Sequence, residues 1–257
     1  GDRFVALSSY PGYPIRLFGN DSTGFKADDR VRIGDDRLGN TSPDGRRLVL
    51  VAPAGAPERL EGWNLDRDLP EQEWSIEPSD KLLQSGERIW SVWFDGDGGR
   101  FATLAAGDEP ETSKLVLWNG EANPPEVIAT LPVRSQIVWY RAALSNDGRR
   151  LAHTPDAPDE VVIVDLSGES PQELTRVRDE RQIAAHFANL AFRPDGKRLA
   201  IGSQLGVTVV DIPSLRPVWA MRSPGAVEWL DWSADGRHLV TSNANRTAYV
   251  LRLDEID

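Results

Sequence analysis

Hydrophobic and polar residues alternate in short bursts along this chain, and the bursts keep step with one dipeptide. Asp-Gly stands at Asp44-Gly45, Asp97-Gly98, Asp147-Gly148, Asp195-Gly196 and Asp235-Gly236. Three positions before each Asp come Thr41, Phe94, Leu144, Phe192 and Trp232, and five before it Gly39, Val92, Ala142, Leu190 and Leu230. A period of two predicts a strand with one buried face. Four and five positions after each Asp the apolar residues resume, as in Leu199-Ala200. Asp-Gly between two such strands predicts a tight hairpin turn, with Gly supplying a positive φ and Asp tolerating left-handed geometry while bonding its own backbone.

Each turn leads into a further strand ("RLVLVA", "RFATLAA", "RLAHTP", "RLAIGS", "HLVTSN") and, after a polar loop, into a third ("LEGWNL", "KLVLWN", "EVVIVDL", "GVTVVDI", "TAYVLRL"). A less regular fourth follows in "EWSIEP", "EVIATL", "QELTRV" and "PVWAMR". The turn aspartates are spaced 53, 50, 48 and 40 residues apart, a self-similar period that indicates a propeller or an array. Four antiparallel strands per period is the make-up of a propeller blade. The expected fold is therefore an all-β β-propeller in one domain, residues 1–257. Its blades would run over about 1–30 (incomplete), 31–80, 81–132, 133–180, 181–222 and 223–257 (incomplete). "GDRFVALSS" matches the text that follows an Asp-Gly, and "TAYVLRLDEID" ends on a third strand. The expectation is a C-terminal part of a six- or seven-bladed ring, with an upstream domain on the same polypeptide.

The phrase "FRPDGKRLA", followed by "VTVVDIP" or "KLVLWN", resembles the WD-repeat β-propeller family in a degenerate, bacterial-style form. The resemblance runs repeat by repeat over nearly the whole chain. It implies a non-catalytic scaffold that binds a protein or peptide, often beside a kinase, protease or signalling ATPase domain; a cytoplasmic location is the expectation. Departures are clear. The histidines His153, His186 and His238 never follow a glycine, and the Trp-Asp slot reads Trp118-Asn119, Val164-Asp165 and Val210-Asp211. These departures argue against the family's buried Asp-His-Ser network. "EVVIVDLSGESPQELT" also resembles Tol-type and peptidase-associated propellers, which keeps a Tol-like envelope propeller open as an alternative.

Composition narrows the function classes. Lys plus Arg is 29 against 40 Asp plus Glu, a net charge of −11, which repels phosphate backbones and argues against nucleic-acid binding. Without cysteine there is no disulfide, thiolate metal site or cysteine nucleophile. No apolar run approaches the roughly 18 residues of a spanning helix. There is no Gly-x-Ser-x-Gly elbow and no His-Glu-x-x-His pair. The glycines fall in hairpins rather than at strand-to-helix junctions that cradle phosphate. No catalytic residue, metal or cofactor is expected. A hydrolase or lyase working at the channel mouth remains the competing class. Asp95-Gly96-Asp97-Gly98-Gly99 has the look of a calcium loop, but two side chains supply too few oxygens, and the hairpin reading is preferred.

Nine tryptophans are the chain's oddest feature, because an indole is costly to hide and frequent in binding hot spots. Trp90, Trp139 and Trp229 fall seven, eight and six places before their turn Asp, where the inner strand begins near one mouth of the channel. Pattern alone leaves open whether they are exposed or packed. Tyr140, Arg141, His186, Asn189 and Glu228 hold similar positions, and these eight residues form the expected partner-binding surface.

Overall fold

A computed structural model describes residues 3–6, 16–21, 24–27, 38–51, 59–66, 69–77, 82–83, 87–107, 113–133, 141–155, 160–168, 170–178 and 189–253. Among them every regular element is a strand, and no helix is long and apolar enough to cross a membrane. The chain divides into two compact units, residues 1–109 with 113–130, and residues 110–112 with 131–257.

The first unit holds three sheets. One is β1 (Arg3–Ala6), β2 (Arg16–Asp21) and β3 (Gly24–Ala27). The second is β4 (Leu38–Thr41), β5 (Arg47–Val51), β6 (Leu60–Asn64) and β7 (Glu71–Ile76). The third is β8 (Arg88–Phe94), β9 (Arg100–Ala106), β10 (Lys114–Asn119) and β11 (Glu126–Pro132). The second unit repeats the plan. It contains β12 (Ala142–Leu144), β13 (Arg150–His153), β14 (Glu160–Asp165) and β15 (Gln172–Arg178), then β16 (Asn189–Phe192), β17 (Arg198–Gly202), β18 (Gly206–Asp211) and β19 (Arg216–Arg222). Last come β20 (Val227–Trp232), β21 (His238–Asn243) and β22 (Ala248–Arg252). Consecutive strands are hydrogen-bonded neighbours throughout, so every sheet is a meander.

The middle strands of the fifth sheet read as nearly unbroken apolar runs because that sheet is covered on both faces. In the fifth sheet Leu199, Ile201 and Val210 pack toward Ala152, Val161 and Ile163 of the fourth. Its Ala200, Val207 and Val209 pack toward Val227, Leu230 and Leu239 of the sixth. Each fully buried aliphatic side chain stabilises this stack by about 1.5–3 kcal/mol. In the first unit the ring of Phe101 lies between Trp74 and Trp118, with centroids at 6.1 and 5.8 Å and planes within 8° and 9°. Trp74 can lie there because Gly62 has no side chain; a Cβ at that position would stand 1.9 Å from the indole. Fourth strands alternate instead, as in β11 and β19, because one face meets solvent.

The turns differ from the tight hairpin expected of Asp-Gly. In Arg193–Arg198 the Gly196 N–H donates to the Arg193 carbonyl at 2.8 Å, and the Arg193 N–H to the Arg198 carbonyl at 2.8 Å, leaving a four-residue loop. Gly45, Gly98, Gly148, Gly196 and Gly236 take φ between 63° and 70°. The aspartates do not enter the left-handed region; Asp44, Asp147, Asp195 and Asp235 instead accept the backbone N–H two residues on at 2.9–3.1 Å. In three sheets a serine two places earlier completes the turn. Ser42, Ser145 and Ser233 donate to the Asp carboxylate at 2.5–2.6 Å and accept the N–H of Arg47, Arg150 and His238.

Candidate functional site

Within each unit, neighbouring sheets approach through their first strands: β4 to β8, β12 to β16 and β16 to β20. Side chains stitch these strands together. Asn40 Nδ2 donates to the Val92 carbonyl at 3.1 Å. Asn189 Nδ2 donates to the Glu228 carbonyl, and Trp232 Nε1 donates back to the Ala191 carbonyl at 3.2 Å.

Both β8 and β20 carry a bulge near their start. The register of β20 on β21 skips Glu228, passing from Val227 to Trp229. That of β8 on β9 skips Trp90, passing from Ile89 to Ser91. An extra residue turns two successive side chains outward, so the inward residues are Val227, Leu230 and Trp232 in one strand and Ile89, Val92 and Phe94 in the other. The gap of three before the gap of two was the visible signal of the bulge. A strict two-residue reading passes over it.

In the second unit the bulge leaves Glu228 and Trp229 facing solvent, and Trp229 is 51% exposed. Asp231, two residues on, shares the outer face. The protein packed around its carboxylate raises its pKa, against the lowering effect of the Trp232 N–H that it accepts at 2.8 Å. Arg141, just before β12, is half-buried; burial pushes its guanidinium below the usual value, and its backbone N–H donates to Thr154 Oγ1 at 3.0 Å.

In the first unit Trp90 is 38% exposed, but its Nε1 donates to the Ala106 carbonyl at 3.1 Å, which ties the indole to the neighbouring strand. Asn189, Glu228 and Trp229 thus come together across the β16–β20 seam. Trp139, Tyr140 and His186 lie outside the described residues. Of the calcium-like loop, Asp95 stands where three other sheets place serine, and its Oδ1 accepts the Arg100 N–H at 3.1 Å. Among the described residues no three His, Cys, Asp or Glu side chains group as metal ligands would.

These consecutive antiparallel meanders, five of them with a glycine-turned hairpin, define an all-β protein of the propeller-blade type. A solved structure titled Kuenenia stuttgartiensis hydrazine synthase is similar in fold, with a TM-score of 0.62 at 16% identity over 95% of this chain and 81% of that one. The likeness is one of fold and supports a propeller. No protein-family model matches the sequence, and no curated protein matches it either.

Proposed function

We propose that the protein is a non-catalytic binding module that holds a protein or peptide on the first-strand ends of its sheets, with Trp229 as anchor. The observation that carries this reading is the half-exposed indole of Trp229 on a strand whose other apolar residues are buried. A strand bulge re-aims it, and the Asn189 bond to the Glu228 carbonyl fixes the bulge. An aromatic group on a rigid frame contributes contact area at low ordering cost. Glu228 and Asp231 beside it suit a partner rich in hydrogen-bond donors. The repeat resemblance extends the proposal to an interaction module of a larger signalling protein.

The test is affinity selection of a displayed peptide library on the immobilised protein. Enriched peptides should bind Trp229→Ala at least about tenfold more weakly, as for a hot-spot aromatic, with an unchanged melting temperature. Failure to enrich any peptide, or equal binding by the variant, overturns the reading.

A further inference from the structure

The four-stranded sheets end on β7, β11, β15 and β19, each hydrogen-bonded to a single neighbour within its sheet. Such an edge presents a row of backbone N–H and C=O groups that another strand can use, and charges or proline commonly guard it. β7 carries Glu71 and Glu73, and β15 carries Glu173, Arg176 and Arg178. β19 carries Arg216 and Arg222, with Pro217 beside the first. β11 departs from this pattern. It reads EVIATLP, and its one charge is on its first residue, Glu126.

The unguarded edge is also apolar. Val127 is 40% exposed and Ile128 45%. Successive residues of a strand point to opposite faces, so the start of β11 offers apolar surface on both sides. Uncharged segments of about this length with β-branched residues are those that pair readily with a strand of another chain.

We propose that β11 is a pairing edge for a second copy of this chain, antiparallel to itself about Ala129. In that register Val127 lies opposite the partner's Leu131, Ile128 opposite the partner's Thr130, and Glu126 opposite the partner's Pro132. The strand is thus complementary to itself: its cross-strand pairs are apolar or uncharged, and no like charges meet. The same centring of β19 about Trp219 would set Arg216 against the partner's Arg222. A two-fold contact of this kind uses both edges and leaves none open, so it closes at the dimer. The net charge of −11 opposes the approach of two copies, and added salt screens that repulsion. None of these residues belongs to the Trp229 surface.

Sedimentation velocity at physiological salt, from about 5 μM to about 1 mM, should show a monomer–dimer equilibrium, weak because one strand pair is smaller than a standard interface. Dimerisation should tighten as salt is added. Ile128→Lys with Thr130→Lys sets like charges opposite each other in both cross-strand pairs and should leave a monomer. Ile128→Lys with Thr130→Glu sets opposite charges there and should dimerise again. Both positions are exposed, so melting temperatures should match wild type. Val250 is 67% exposed on β22, the edge of the sixth sheet, and Val250→Lys should leave the equilibrium unchanged. A wild type that stays monomeric at about 1 mM, association that continues past the dimer, a dimer that survives the paired lysines, or one abolished by Val250→Lys overturns the proposal.

Discussion

Arg47 Nη1 donates to the carbonyl of Gly98 at 2.9 Å, joining the second strand of one sheet to the hairpin of the next across 51 positions of sequence. Arg150 and Gly196 repeat the bond at 3.2 Å across 46 positions. The same glycine that turns its own hairpin is thus the acceptor that the preceding sheet holds. Replacing Arg150 with Met keeps the aliphatic stem and removes the donor. We expect a loss of about 1.5–3 kcal/mol in chemical denaturation, the usual worth of a hydrogen bond involving a charged group. A surface role alone would leave the midpoint where it was.

The turn glycines separate two costs that are usually confounded. Gly196 and Gly98 share φ +68°, so alanine at either costs about 1–2 kcal/mol of left-handed backbone strain. A Cβ on Gly196 would meet nothing within 4 Å, whereas one on Gly98 would stand 2.7 Å from the Ser42 Cβ. Gly98→Ala should therefore be more destabilising than Gly196→Ala by about 1–3 kcal/mol, the usual cost of overpacking. Equal losses at the two positions would show that the sheets separate freely there.

The strands were legible because turn and alternation agree. Starts such as Arg47, Arg100, Arg150, Arg198 and His238 follow from the Asp-Gly register. Even fourth strands such as Glu126–Pro132 could be marked from β-branched and apolar content. What period two hides is the bulge, at Trp90 and at Glu228, since one extra residue shifts the outward face without changing composition. The tie from Trp90 to Ala106 depends on how two strands pair, and the bond from Asn189 to Glu228 on how two sheets meet. Neither has a local sequence mark. The serine before three of the five turns is a local mark, at Ser42, Ser145 and Ser233.

Asp95 breaks that serine pattern. Burial raises its carboxyl pKa, with the neighbouring Asp97 charge adding to the effect and the Arg100 N–H opposing it. An aspartate with a raised folded pKa resists ionisation in the fold, so it penalises the folded state fully only above that pKa. Asp95→Ser should still accept the Arg100 N–H and could donate to Asp97 as Ser42 does to Asp44. We expect a gain of about 0.5–1.5 kcal/mol from the new bond, larger at neutral pH than at acid pH. A loss of stability at neutral pH would instead give the Asp95 carboxylate a role of its own, such as holding a cation.

His153 sets an acid limit on the second unit. It is 6% exposed on β13, and burial lowers its pKa to about 4, helped by the Arg176 charge and opposed by Glu173. Arg176 is itself held by Glu160 and Glu173, at 3.1 and 2.7 Å, so its charge stays beside the imidazole. A histidine with a depressed folded pKa is neutral in both states above about 6.5, and there it adds no pH dependence. Between about 6.5 and 4 the unfolded chain takes up the proton and the fold does not, so stability falls as pH falls. Below about 4 both states carry it and the loss is complete, at about 3 kcal/mol for a shift of this size. His153→Asn removes the titration. The difference in unfolding free energy between wild type and variant, followed from pH 7 to pH 4, should therefore change by up to about 3 kcal/mol in the variant's favour. Parallel curves for the two proteins would mean that His153 reaches solvent readily enough to be protonated in the folded state.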